Sequence, residues 1–202
     1  LTKQKTTKYL IILVFWLVVL YPLVVRINRL EWSLDTSLVP NLFPLFGLAA
    51  FLFMWLHIVG GVFRKWLSEY IDFNRFVDTS TILVLIFIIL HPLLLLVHLD
   101  FSFGDVFLYG AKYIWLAIIG FVLLVTYDIA KIFKRFDFFS RHFKVITFIS
   151  TIGFLLIFFH SLGVGSDLQG GHMRVLWIFY GVTAIAATIY RYGVKRFLRE
   201  HE

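Results

Sequence analysis

The chain has 202 residues, of which 60% are hydrophobic, 19% aromatic and 15% charged, with a mean hydropathy of +0.89. A single water-soluble core of this size cannot hide so much apolar surface, so lipid is the solvent the composition requires. The formal charge of +7 sits beside apolar runs rather than in one patch, which points to anionic lipid and away from nucleic acid, and the lack of cysteine excludes disulfides, thiolate zinc sites, iron–sulfur clusters and thiol catalysis.

About 20 apolar residues in helical form cross the hydrocarbon, and six stretches qualify. The first, near residues 9–27, follows Lys3, Lys5 and Lys8 and ends at Arg26 and Arg29 without a small-residue cleavage site, so it reads as a retained anchor rather than a signal peptide. The others run near residues 41–63, 77–99, 110–129, 143–164 and 175–192. Connections are short, which predicts antiparallel neighbours in an all-α bundle of six transmembrane helices, one domain over 1–202 with no inserted soluble domain. Leu1 is not an initiator methionine, so a longer native chain stays open.

Charge sets the expected orientation. Arg26, Arg29, Lys112 and Arg174 fall on one side, with Glu31, Asp35, Asp100, Asp105 and Asp167. The remaining Lys and Arg, among them Arg64, Lys65, Arg75, Lys131, Lys134, Arg135, Arg141, Lys144, Lys195 and Arg196, fall on the other. The positive-inside rule makes that side cytoplasmic, with both termini on it.

Ionisable groups inside lipid are costly, so each is a functional hypothesis. His57, His91, His98 and His160 lie within spans; His172 lies just outside the membrane, His142 just inside and His201 in the C-terminal tail. His91 lies about 21 Å along the third span from Val77, and His160 about 24 Å along the fifth from Lys144, which puts both in the outer half at similar height. Two neutral imidazoles on facing helices are what a six-coordinate haem iron requires. The Phe, Leu and Ile around them suit a porphyrin, and Arg174, Lys112, Arg29 or Arg26 could neutralise its propionates.

The run Leu48-Ala49-Ala50-Phe51 through Arg64, then Asn74-Arg75-Phe76 leading to Ile88-Ile89-Leu90-His91-Pro92-Leu93-Leu94, resembles the ferric reductase-like transmembrane domain. So does Phe143-Lys144-Val145-Ile146-Thr147 through Phe158-Phe159-His160-Ser161. That family includes NADPH oxidases, ferric reductases and the YedZ-like haem subunit of a periplasmic methionine sulfoxide reductase; the resemblance covers roughly residues 40–195. It implies a membrane b-type cytochrome, an electron-transport protein of the oxidoreductase class, multi-pass in a bacterial or archaeal cell membrane. Two-haem members carry a second histidine 13 or 14 residues before each outer ligand. Here those positions are Val77 or Asp78, and Thr147, so the resemblance implies one haem b, with the inner one lost. The electron route then has three open forms: an FMN, FAD or quinone in the inner half, entry at the outer face, or no transmembrane transfer. A cytoplasmic flavoprotein reductase or an extracytoplasmic redox partner would complete the first two.

Plainer readings stand beside these. His98 shares a face with His91 and could be an alternative ligand, line an acceptor pocket with His172 and Asp100, or snorkel to the interface. His57 reads as a packed polar residue with no evident partner. Asp78 and Asp128 suit ion pairs with Arg75, Lys131 or Lys134. Gly60-Gly61 suggests close packing, Gly170-Gly171 a turn, Phe136-Asp137-Phe138-Phe139 an aromatic belt in the inner loop, and Trp32, Trp55, Trp66, Trp115 and Trp177 belt or packing roles. No glycine-rich nucleotide fingerprint is present, and the His91-Pro92 step alone is too little for a transporter. The two expectations are therefore a one-haem cytochrome reducing an outer acceptor, and a non-enzymatic membrane subunit of the same fold serving assembly, anchoring or sensing.

Overall fold

A computed structural model describes residues 3–30 and 38–194; Glu31, Trp32, Asp35, Lys195, Arg196 and His201 lie outside the described residues. Backbone contacts divide the chain into two units, Leu1–Phe101 and Ser102–Glu202.

The first unit holds α1 (Lys3–Ile27), α2 (Leu38–Val62), the single turn α3 (Arg64–Leu67) and α4 (Phe73–His98). Pro22, Pro44 and Pro92 lie inside the three long helices, where flanking turns and neighbouring helices absorb the missing N–H. Asp72 caps α4: its carboxylate accepts from the Arg75 amide at 3.0 Å and satisfies one of the orphan donors of the first turn. Helix α2 packs against both α1 and α4 and has the most buried sequence of the unit, from Leu48 through Leu52 and Met54 through Leu56. At its far end Gly60 admits the Phe73 ring, which a Cβ there would meet at 2.8 Å. Phe73 in turn packs with Ile11 and Leu67, fastening α1 to the turn between α2 and α4.

The second unit begins with α5 (Phe103–Val106) and a 3-10 turn (Phe107–Tyr109), followed by α6 (Ala111–Ile132) and α7 (Asp137–Val164). A second 3-10 turn (Ser166–Leu168) leads to α8 (Gly171–Ile189), which passes into a π-helical turn (Tyr190–Val194). Gly120 and Gly153 bring the α6 and α7 backbones together: a Cβ on either would lie 2.8–2.9 Å from the other's carbonyl oxygen. Small residues let membrane helices gain dispersion contact where no hydrophobic drive separates protein from lipid. Gly181 of α8 accommodates the Phe158 ring of α7 in the same way. The Trp177 indole of α8 is buried and donates to Ser161 Oγ of α7 at 2.7 Å.

All six expected spans are present as helices long and apolar enough to cross a bilayer, and among the described residues there is no strand. The chain is an integral, multi-pass membrane protein. Its outward side chains agree, with Leu10, Leu13, Leu17, Ile82, Ile86, Val122, Val175 and Val182 all exposed, as lipid contact requires. Hydroxyls within the spans bond back along their own helices, as Thr81 does to the Val77 carbonyl and Thr151 to that of Thr147. The helices outrun several expected limits. Helix α7 begins at Asp137 rather than near Phe143, so Asp137, Phe138 and Phe139 form its first turn and are not a loop. The Asp137 carboxylate suits the positive end of the helix dipole and lies 3.4 Å from Arg141, one turn on. The Gly170–Gly171 pair does form a turn, with Gly171 at φ +68°.

Candidate functional site

In each unit an imidazole is tethered to a main-chain carbonyl across two antiparallel helices. In the first, His91 lies in the last two turns of α4 and points across to the second turn of α2. Its Nδ1 is 2.7 Å from the Phe43 carbonyl oxygen. A carbonyl only accepts, so Nδ1 carries the proton and donates; in the neutral ring the lone pair is then on Nε2. The ring is held on its other flanks by the Phe43 ring, 5.6 Å between centroids, and by the bare Cα of Gly47. A Cβ at Gly47 would stand 2.8 Å from Nδ1 and 2.9 Å from Cε1.

The second unit repeats the device. His160, near the end of α7, has Nδ1 2.9 Å from the carbonyl oxygen of Tyr113, in the first turn of α6. The Tyr113 ring lies on Gly163, one turn beyond His160, where a side chain would collide with it. Here too Nδ1 is the donor and Nε2 holds the lone pair. The acceptors stand 48 residues before His91 and 47 before His160, so both bonds close the same end of an antiparallel pair. His142 offers the contrast: its Nδ1 donates to Phe138, in its own helix, and its ring is exposed.

The remaining candidates are placed less centrally. His98 is the last residue of α4 and is exposed, about 10 Å along the helix beyond His91. His172 is exposed in the first turn of α8, in the other unit. Lys112 adjoins Tyr113, with Nζ 4.6 Å from the centre of its ring, so it belongs to the surroundings of the His160 tether. Arg174 braces the 3-10 turn, donating from Nη1 to the Leu168 carbonyl at 2.9 Å beside the buried Asp167 and Leu168. Arg29 follows the end of α1 and is exposed.

His57 has the partner that sequence alone did not supply. Its Nε2 is 2.7 Å from Ser80 Oγ, whose own proton goes to the Phe76 carbonyl at 2.6 Å. The imidazole must therefore donate from Nε2, which pins the His57 ring between α2 and α4. Where a second pair of ligands would stand, Val77 is aliphatic and Thr147 donates to the Phe143 carbonyl of its own helix at 2.7 Å.

Sequence reasoning singled out the two histidines as candidates but not the groups that orient them. The Phe43 and Tyr113 carbonyls carry no residue signature, and Gly47 and Gly163 read as ordinary small residues of apolar helices. Among the described residues no three His, Asp or Glu side chains gather into a ligand set. Compared with protein-family models, characterised proteins and solved structures, the chain matches none.

Proposed function

We propose that this protein is a membrane b-type cytochrome in which His91 and His160 are the axial ligands of one haem, passing electrons to an acceptor at the outer face of the membrane. The observation that carries the reading is the matched tether: in both units Nδ1–H is given to a main-chain carbonyl of the antiparallel helix. A histidine that ligates a metal through Nε2 characteristically donates its other N–H in this way, which fixes ring orientation and raises ligand basicity. The donor set suits haem rather than a multidentate ion, because haem asks of the protein only two axial groups. When bound, the haem supplies one-electron redox chemistry that no side chain of this cysteine-free chain provides.

The chain's own residues do the rest. The Phe43 and Tyr113 carbonyls hold the proton on Nδ1 of each ring, while Gly47 makes room for the His91 imidazole and Gly163 for the Tyr113 ring. Lys112, Arg174 and Arg29 are cations suited to the propionates. Val77 and Thr147 support one haem and not two. Both termini face the cytoplasm in this reading, by the charge bias of the loops, and a flavoprotein or quinone supplies the electrons.

The test is a reduced-minus-oxidised spectrum of the purified protein with its haem-to-protein ratio. A sharp b-type α-band at a ratio near one, lost in both His91→Ala and His160→Ala, is the expected result. A folded protein that is colourless when made with ample haem, or whose band survives either substitution, overturns the reading. The second reading, a non-enzymatic subunit of the same fold, rests on the absent inner ligand positions; a colourless protein that sustains its native role would select it.

A further inference from the structure

The two turns that join the antiparallel pairs differ in their balance of charge. The turn between α2 and α4 carries equal numbers of cations and acids. Its cations Arg64, Lys65 and Arg75 stand among Glu69, Asp72 and Asp78. Arg64 Nε donates to Asn74 Oδ1 at 2.8 Å, and Phe73 is turned inward onto Ile11 and Leu67.

The turn between α6 and α7 carries an excess of cations. Residues 128–144 carry Lys131, Lys134, Arg135, Arg141 and Lys144 against two acids, Asp128 and Asp137. Asp128 interacts with Lys131 and Asp137 lies 3.4 Å from Arg141, which leaves Lys134, Arg135 and Lys144 in excess. Between the cations stands a connected ledge of phenyl rings: Phe133 contacts Phe136 and Phe139, and Phe138 packs edge-on to Phe139. Phe133, Phe136 and Phe138 are nonetheless exposed, Phe138 to 64%. Lys134 Nζ sits over the Phe143 ring at 4.6 Å and the Arg135 guanidinium over Phe136 at 5.1 Å, so cation and ring are presented side by side.

We propose that this turn is a binding site for anionic phospholipid. The turn joins two membrane-spanning helices, so it lies where acyl chain gives way to headgroup. Rings set at that level favour the boundary, and clustered Lys and Arg attract anionic headgroups. An excess of cations beside exposed rings is complementary to a phosphodiester carried on an acyl chain. The turn of the first unit also exposes two rings, Phe63 and Trp66, but carries no excess of cations, and it serves as the internal control for charge.

The experiment uses the whole chain in detergent micelles, with native mass spectrometry to count retained lipid and a thermal unfolding scan. Phosphatidylglycerol and phosphatidylcholine of identical acyl chains are the probes. The wild type is expected to retain phosphatidylglycerol at least about tenfold better than phosphatidylcholine and to melt several degrees higher with it, the preference shrinking as salt rises. Lys134→Gln with Arg135→Gln and Lys144→Gln abolishes the preference, whereas Arg64→Gln with Lys65→Gln leaves it intact. If the triple variant is poorly folded, the single Lys134→Glu, at an exposed position, carries the same expectation at about a threefold loss. Equal retention of both lipids by the wild type overturns the proposal and reassigns the ledge to an acidic protein surface. A preference that survives the triple variant, or is lost equally in the Arg64/Lys65 variant, overturns it as well.

Discussion

Replacing Gly47 by alanine tests the geometry on which the His91 tether depends. The added methyl would sit 2.8 Å from Nδ1, 2.9 Å from Cε1 and 3.3 Å from Cγ of the imidazole. Ordinary contact is at about 3.5 Å, so the ring must retreat by roughly 0.7 Å. The ring cannot do that without lengthening its 2.7 Å bond to the Phe43 carbonyl, unless α2 and α4 separate instead. Losing the bond costs about 1 kcal/mol and overpacking a tight contact about 1–3 kcal/mol. Gly47→Ala should therefore destabilise by about 2–4 kcal/mol, read from denaturant midpoints in micelles or by thermal scan. Disturbing a partner that orients a metal ligand lowers metal affinity by about 10–100-fold, so haem should also be lost faster to an apo-globin acceptor. Gly104→Ala, at a position with nothing within 4 Å, is the matched control. If the two variants unfold together and hold haem equally, the reasoning is wrong. A loss of stability with normal haem retention would leave the packing intact and sink the link to ligation.

Three further outcomes follow from particular contacts. His98→Ala should leave any haem spectrum unchanged, because His98 ends α4 in an exposed position two turns beyond His91; a shifted or lost α-band would make it the ligand. Ser80→Ala should cost about 1–2 kcal/mol in thermal or denaturant unfolding, since it removes the buried acceptor of the His57 proton, with the spectrum untouched; an unchanged midpoint would refute the pairing. Phe101→Gly should stabilise the chain by up to about 1 kcal/mol. Phe101 follows Asp100 in the left-handed region, at φ 59° and 46°, where a bulky residue is strained. A lowered melting temperature would show that its exposed ring earns more than its backbone loses.

Hydropathy made the six spans legible, because a helix surrounded by lipid must be apolar along its whole length and not only on one face. It could not fix where they ended. Helix α7 starts at Asp137 because a carboxylate in the first turn and rings at the interface are compatible with helix, and an apolar count sees only the charge. The depth of His91 and His160 could be counted along their helices, and that singled them out. Their partners could not be found that way. Phe43 and Tyr113 act through main-chain oxygens, and the pairing of His57 with Ser80 depends on the antiparallel register of α2 with α4, which one-dimensional periodicity does not give in helices apolar all round. The strained pair Asp100–Phe101 is half legible at best: aspartate tolerates the left-handed region, whereas nothing about phenylalanine announces it.

The imidazole tethers have a consequence for how such a protein can change over time. Because the acceptors belong to the peptide backbone, no replacement at positions 43 or 113 short of distorting the helix can delete them. Side chains there can change the packing around the rings, but the proton on Nδ1 keeps its acceptor. The burden of invariance falls instead on residues that appear to contribute least, the two glycines whose missing side chains leave the rings somewhere to lie.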